Sequence, residues 1–583
     1  MAFLRTRGWL PGLKRLWRER WWLVAFAALL TLCRLPTIDG WDEAFYVGQL
    51  TSVVGDGDLR LQDDVVVVPK RFEERCRSVT TILPSGALAN TFGLGPAILL
   101  SPFTGPVLLS ASPPPWMAFR ATAALGAMVM LTITALVSTA LLRRVGVAGE
   151  VAPLAAGLAL LSSPMAIYGT RSYLNAHAGG ALLVALAIHQ ALVWVASRRD
   201  RNALALGLAV GLACVNRWQD TVIVLPLALA AGVTAARDGR GWRRGVSLSL
   251  AAAALAVACQ LLAWWVQFGT PLLVPQGAAY MQWLAPQVVP LLVSTYHGLL
   301  PWAPGLALGL LALGLGLRSA DHRWLFAALV LGTVLAIYVS ACPQDWWGRD
   351  AFGPRRLVSL APVSALGLGL LLGRLTPRTR VLLAALLGLW AIVAVSAHFS
   401  GHDDLLELVT GRPDPFRPAE AVSSADQGWI NRWGALHAMK PGFSFSDLPR
   451  PPDRLVGIVF VAAVVGVMRL LWPLLAGRAA VQRLAVALAL LHVAAWALVL
   501  AVVVPPNRDW NTRWAAFLAA PLEAGRAETL PADAAVARDV IIAARAAAVG
   551  DTGVLASALE RLRSHGIVAS APDALRCQQG TAH

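Results

Sequence analysis

Two adjacent carboxylates, Asp42 and Glu43, stand in the segment GWDEAFYVGQL (40–50), directly after the first apolar run of the chain. Acidic side chains are costly near hydrocarbon, so a pair on the rim of a span, followed by Phe45 and Tyr46, marks a candidate site at the bilayer surface. A carboxylate there can take a proton from an attacking hydroxyl. The plainer reading is a helix N-terminus at which Asp39, Asp42 and Glu43 favour the helix dipole. A second constellation lies in CPQDWWGRDAFGPRRLVSL (342–360), where Arg349, Arg355 and Arg356 accompany Trp346 and Trp347. Guanidinium groups read phosphate through a planar fork of donors, and paired tryptophans suit the level at which a lipid headgroup meets its chain. Trp346 and Trp347 equally fit an interfacial aromatic belt. Gly353 and Pro354 predict a shaped turn before a helix that starts near Arg355, and the first amides of such a helix also favour a phosphate.

Further candidates are single residues. Arg217 in VNRWQD could take an anion or simply pair with Asp220 across one turn. His177 and His297, near outer ends of spans, could bind substrate or hydrogen-bond a backbone carbonyl. Arg120, Arg171 and the group Lys70, Arg71, Arg75 and Arg77 add outer cations, and Trp264, Trp265, Tyr280, Trp283 and Tyr296 could stack on sugar rings. A carboxylate on one loop and phosphate-seeking arginines on another describe a group-transfer site. The acid would accept the proton of an acceptor hydroxyl while the guanidiniums stabilise the charge on a departing lipid phosphate.

The elements that must position these residues are membrane helices. Apolar residues make up 57% of the 583 and charged ones only 14%, against roughly a quarter in soluble domains, so the expected class is an all-α polytopic membrane protein. The net charge of +16 rests on arginine, since lysine occurs only at Lys14, Lys70 and Lys440, and no nucleic-acid partner is expected. Six cysteines without CxxC or metal-like spacing argue against a zinc or redox site. Cys76, Cys342 and Cys577 fall in polar outer segments, where a disulfide and free thiols are both compatible. No cofactor is assigned. Whether Asp56, Asp58, Asp63 and Asp64 of the first outer loop hold a divalent ion is left open.

Apolar runs long enough to cross hydrocarbon are expected at 21–35, 115–142, 151–168, 173–196, 202–215, 221–236, 246–268, 297–317, 324–341, 357–372, 381–398, 455–476 and 484–504, about 13 spans. Alternate turns carry the arginines, from Arg143 and Arg144 through Arg198, Arg199 and Arg201 to Arg478 and Arg483, all on the side of the basic N-terminus. The positive-inside rule then puts that side in the cytoplasm and the loops 39–114, 269–296, 342–356 and 400–454 outside. The basic start resembles a signal peptide in outline, but Arg34, Leu35 and Pro36 stand where a small-residue cleavage site would, so an uncleaved first span is expected. The run 94–111 carries Pro96, Pro102 and Pro106 and is expected as an interfacial or re-entrant segment. A transmembrane domain (1–504) is followed by a small outer helical tail (505–583), in which two short amphipathic helices are expected.

The segment from Asp42 with its following Tyr46, the stretch LGPAILLSPF and the stretch WWGRDAFGPRR together resemble the polytopic GT-C glycosyltransferases, in particular the protein mannosyltransferase and aminoarabinose transferase branch. The resemblance implies a GT-C-like fold with interfacial helices in the first outer loop. It implies a polyprenyl-phosphate sugar as donor and Asp42, with Glu43 as neighbour, as catalytic base. It leaves the acceptor open between protein, lipid and polysaccharide. The sequence departs from the family in its short tail, in the competing loop aspartates and in the lack of an assignable second acid. On this reading the chain is an inverting glycosyltransferase, with Arg355, Arg356 and Arg349 on the donor phosphate and Tyr46, Trp346, Trp347, Arg217 and His297 facing substrate or lipid. A lipid or sugar transporter or flippase, and a non-catalytic scaffold for envelope assembly, are the alternatives. A transporter would show ionisable residues or broken helices at mid-span, and few are apparent. Lys-poor, Arg- and Ala-rich usage suggests a bacterium of high genomic GC content, and so an inner-membrane protein whose active face is extracytoplasmic.

Overall fold

The computed structural model describes residues 41–56, 90–109, 116–169, 174–272, 280–399, 404–417 and parts of 539–564, less 91, 238, 240–241, 349–350 and 411. The spans expected at 21–35, 455–476 and 484–504 lie outside the described residues. The described residues form α1 (Trp41–Thr51), α2 (Gly95–Leu108), α3 (Trp116–Arg144), α4 (Val151–Leu161), α5 (His177–Ser197), α6 (Asp200–Asn216), α7 (Thr221–Arg237), α8 (Trp242–Phe268), α9 (Pro304–Ala312), α10 (Arg323–Ala341), α11 (Ala361–Arg374), α12 (Pro377–Phe399) and α13 (Thr552–Ser564). Among them there is no strand, only an isolated antiparallel bridge between Met281 and Pro343.

Among the described residues, six helical stretches are long and apolar enough to cross a membrane. Burial sorts them. Most residues of the apolar stretches within His177–Ser197 and Arg355–Arg374 are buried inside the protein, whereas most of those within Trp242–Val266 are not. Leu255, Leu262 and Trp265 on α8 are exposed and form a lipid-facing wall, while α5 runs through the middle, packed on α3, α6, α7 and the turn before α11. Lipid offers little hydrophobic drive for helix association, so close backbone approach decides packing. Gly211 provides it between α6 and α8, since a Cβ there would lie 2.6 Å from the Ala253 carbonyl oxygen.

Two expected spans are interrupted. The run 151–168 ends as a helix at Leu161, where Ser162 Oγ turns back to the Leu158 carbonyl at 2.6 Å, and a single turn Met165–Tyr168 follows Pro164. The run 297–317 is a turn Leu299–Trp302, then α9, then a 3₁₀ stretch Leu313–Arg318. Its break is at Ala303 (φ −138°, ψ 56°), because the residue before a proline is driven out of helical geometry, while Pro304 itself suits the first helical position. In the first outer loop, α2 has 14 residues with Pro102 and Pro106 inside it. It rises about 21 Å, short of the roughly 30 Å of hydrocarbon, and packs on α1 and α3. In the tail, Leu555, Leu559 and Leu562 of α13 are buried with Ala543 and Ala546, and Arg561 Nε meets Asp539 Oδ1 at 2.8 Å.

Candidate functional site

α1 presents Asp42 in its first turn and Tyr46 one turn on, hence on one face. Tyr46 and Phe45 pack on Phe92, with ring centroids 5.1 and 5.7 Å apart. Three side-chain amides hold the segment carrying Phe92. Gln49 Nε2 donates to the Phe92 carbonyl (3.1 Å), Asn90 Oδ1 accepts the Phe92 N–H (2.9 Å) and Gln260 Oε1 accepts the Leu94 N–H (2.7 Å). The catalytic candidate thus stands on a helix whose aromatic face rests on a fixed platform. Glu43, 1% exposed, sits about 100° further round the helix and inside the packing.

The second wall is the segment 342–360. Gly348 (φ 78°) and Gly353 (φ 53°) adopt the left-handed conformation that favours glycine, and a Cβ at Gly348 would lie 2.9 Å from Arg355 Nε. The Phe352 N–H donates to the Tyr168 hydroxyl oxygen at 2.8 Å, which fastens the segment to the break after α4. The chain then enters the 3₁₀ turn Arg355–Leu360, which runs into α11.

The two walls meet through an ion pair. Arg355 Nη1 lies 3.0 Å from Asp42 Oδ2, joining residues 313 apart in sequence, with the two side chains 21% and 20% exposed. The neighbouring cations are placed otherwise. Arg356, 8% exposed, is held by Asp345 Oδ1 at 2.6 Å and donates to the Tyr280 hydroxyl at 3.0 Å, while that hydroxyl donates to Asp345 Oδ1 at 2.6 Å. Burial pushes the Tyr280 hydroxyl above its ordinary value, against the pull of Arg356, so it remains a donor. Arg217 donates to Ser359 Oγ (2.8 Å) and to the Arg356 carbonyl (3.3 Å), and Ser359 Oγ donates to Asp220 Oδ2 (3.0 Å). The local pairing of Arg217 with Asp220 is loose at 3.7 Å, so Ser359 is the group that joins them. This buried cluster fixes the turn that begins with Arg355. Gly180 on α5 makes room for it, a Cβ there standing 2.6 Å from both Asp220 Oδ2 and Ser359 Oγ.

The remaining candidates fall into three groups. Trp346, 5% exposed, belongs to the main core, so its ring is not presented to lipid; Trp347 is partly buried against it, edge to face at 6.1 Å. His297 Nδ1 lies 2.6 Å from the Trp347 carbonyl oxygen and its ring stacks on Tyr296 at 4.2 Å, a brace between loops. That brace is latched by Asp414, which accepts from Ser294 Oγ (2.8 Å), from Thr295 Oγ1 (2.8 Å), from the Thr295 N–H and from the Tyr296 N–H (3.1 Å). Burial would raise the Asp414 carboxyl, but the hydrogen bonds from Phe416, Ser294 and Thr295 outweigh it and hold the group below its ordinary range. Arg349, Arg171 and the group from Lys70 to Arg77 lie outside the described residues, as do Asp58, Asp63, Asp64, Cys76 and Cys577. Cys342 carries a free thiol. Among the described residues, no three His, Cys, Asp or Glu are grouped to hold a metal ion. Asp345, Ser359, Tyr168 and Gly180 went unnoticed in the sequence; the pair Gly179–Gly180 at the start of an apolar helix was the available signal.

No protein-family model and no curated protein matches the sequence. Solved structures match it by shape. ArnT from Cupriavidus metallidurans in the apo state superposes with a TM-score of 0.50 at 17% identity, covering 84% of this chain and 78% of that one. The same protein bound to undecaprenyl phosphate gives 0.49 at 16% identity, covering 84% and 79%. The archaeal oligosaccharyltransferase AglB from Archaeoglobus fulgidus, in complex with an inhibitory peptide and a dolichol-phosphate, gives 0.38 at 13% identity, covering 75% and 59%. The likeness to apo ArnT extends over most of both chains, and it shows that this chain shares the helical fold of that protein.

Proposed function

We propose that the chain is a membrane glycosyltransferase that moves a sugar from a polyprenyl-phosphate donor to an acceptor hydroxyl, with Asp42 as general base and Arg355 on the leaving phosphate. The observation that carries this reading is the 3.0 Å contact between them, made by two segments far apart in sequence within a fold like that of ArnT. In the step proposed, the acceptor hydroxyl gives its proton to Asp42 and its oxygen bonds to the anomeric carbon. The carbon–oxygen bond to phosphate breaks, and its electron pair goes to the phosphate oxygen. One displacement from the face opposite the leaving group inverts the anomeric centre. Charge gathers on the phosphate as that bond breaks, and Arg355 can turn toward it, freeing Asp42 for the proton. Arg356 and Arg217, held by Asp345 and by Ser359 and Asp220, keep the turn in place rather than contacting the donor.

The active face is the extracytoplasmic one on the charge pattern of the turns. Transport is the weaker reading, because the buried pair Arg217 and Asp220 sits at the junction of α6 and α7, and the breaks at Ser162–Pro164 and Ala303–Pro304 lie toward one end of their runs rather than at mid-span. The Cupriavidus protein's crystallisation with undecaprenyl phosphate makes polyprenyl-phosphate sugars the donors to try first. Asp42→Asn in membranes, supplied with a radiolabelled polyprenyl-phosphate sugar pool, should lose transfer by about 10²- to 10⁴-fold, the usual worth of a general base. Transfer at the wild-type rate refutes Asp42 as the base.

A further inference from the structure

His177 opens α5, a 21-residue helix whose N-terminus has no side-chain cap. It is 5% exposed, and neither Nδ1 nor Nε2 has a hydrogen-bond partner among the described residues. Buried polar atoms are almost always paired, so two orphaned ring nitrogens in one side chain call for an explanation. The ring is not loose. It packs on the Tyr168 ring at 4.3 Å, and the Tyr168 hydroxyl oxygen in turn accepts the Phe352 N–H of the segment that carries Arg355. One turn further along α5, Gly180 abuts Ser359, Asp220 and Arg217. Among the described residues, the charges that act on the imidazole are those of Arg217, Arg355 and Arg356, whose carboxylate partners are Asp220, Asp42 and Asp345. A positive helix end, the Arg355 guanidinium and an imidazole with unspent hydrogen-bonding capacity are the makings of an anion site, in a field to which the braced Arg217 and Arg356 add.

On the reading above, the anion that comes to Arg355 is a lipid-linked phosphate. We propose that His177 is a further ligand for that phosphate, donating a ring N–H to one of its non-bridging oxygens from the outer end of α5. Uncharged imidazole has one N–H and one lone pair, so the second nitrogen can accept from a hydroxyl of the attached sugar or from water carried in with it. Asp42 and His177 then flank Arg355 with different tasks: the acid serves the acceptor and the imidazole serves the donor.

His177→Phe is the deciding variant, because it keeps a flat ring against Tyr168 while removing both nitrogens. Removing an orphaned polar group should leave stability unchanged or raised. Purified protein in nanodiscs is titrated with undecaprenyl phosphate, with inorganic phosphate and with undecaprenol. The expected result is that His177→Phe weakens binding of undecaprenyl phosphate about 10- to 100-fold, the worth of a hydrogen bond to a charged group. His177→Gln, which restores a donor and an acceptor, should recover part of the loss, and undecaprenol binding should not change. Wild-type affinity in His177→Phe overturns the proposal, as does an equal loss for undecaprenol, which would mean that the ring supports the pocket only sterically. Inorganic phosphate separates this inference from the functional reading. If undecaprenyl phosphate does not bind but inorganic phosphate binds in a His177-dependent way, the anion site stands and the polyprenyl donor fails; if neither binds, the anion site itself fails.

Discussion

Gly180→Ala tests whether the centre of the bundle sets the geometry of Arg355. The new Cβ would stand 2.6 Å from Asp220 Oδ2 and from Ser359 Oγ, and 3.4 Å from Arg217 Cδ. Ordinary contact begins at 3.4 Å, so the two oxygens must retreat by about 0.8 Å in a close-packed interior. A retreat of that size strains or breaks the 3.0 Å hydrogen bond between Ser359 and Asp220, and a buried hydrogen bond to a charged group is worth about 1.5–3 kcal/mol. Ser359 shares the turn Arg355–Leu360 with Arg355, so its displacement passes to the guanidinium. A misplacement of about 1 Å at a reacting group costs on the order of 100-fold in rate. Gly180→Ala is therefore expected to lower stability by about 1.5–3 kcal/mol and transfer by about 100-fold. Thermal unfolding in detergent and transfer from a radiolabelled polyprenyl-phosphate sugar read the two effects. Adding Ser359→Ala removes one of the two obstructing oxygens and should recover part of the stability, a coupling that a double-mutant cycle measures. Full stability in Gly180→Ala would contradict the packing argument. Reduced stability with undiminished transfer per folded molecule would break the link from Ser359 to Arg355.

Two further variants test the braces around the site. Asp414 has its folded carboxyl below the ordinary range, so the stability it adds is complete above about pH 4 and is lost as the pH falls from there through the depressed folded value. Unfolding midpoints of wild type and Asp414→Asn should thus differ most near neutrality and converge in acid; a difference constant with pH would contradict the latch. Tyr168→Phe keeps the ring on His177 but removes the hydroxyl that accepts the Phe352 N–H, and is expected to cost about 1–3 kcal/mol. Unchanged unfolding of Tyr168→Phe would show that the segment is fastened elsewhere.

Continuous apolar runs were the most legible part of the chain. The expectations 221–236, 246–268, 324–341 and 381–398 fall within a few residues of α7, α8, α10 and α12, because a helix in lipid must be apolar along its whole length. The breaks at Ser162–Pro164 and Ala303–Pro304 carried their warning in proline, but hydropathy alone runs straight through them. Asp42 and Arg355 were each recognisable by type and setting. Their partnership was not, since it depends on how segments 313 residues apart are folded together. Arg355 and Arg356 look alike in sequence; it is the pairing of Arg356 with Asp345 of its own segment and with Tyr280 of another that sets the two apart. Ser359 looked like one more small residue in an apolar run. Its importance comes from Arg217 and Asp220, which approach from the end of α6 and the start of α7.

The central claim is that Asp42 and Arg355 converge on one lipid phosphate. A structure of the chain in nanodiscs with undecaprenyl phosphate addresses it directly. The account predicts a phosphate oxygen within hydrogen-bonding distance of Arg355, with that side chain drawn away from Asp42 and the carboxylate left open to an acceptor. Undecaprenyl phosphate bound elsewhere, with the 3.0 Å pair undisturbed, would contradict it.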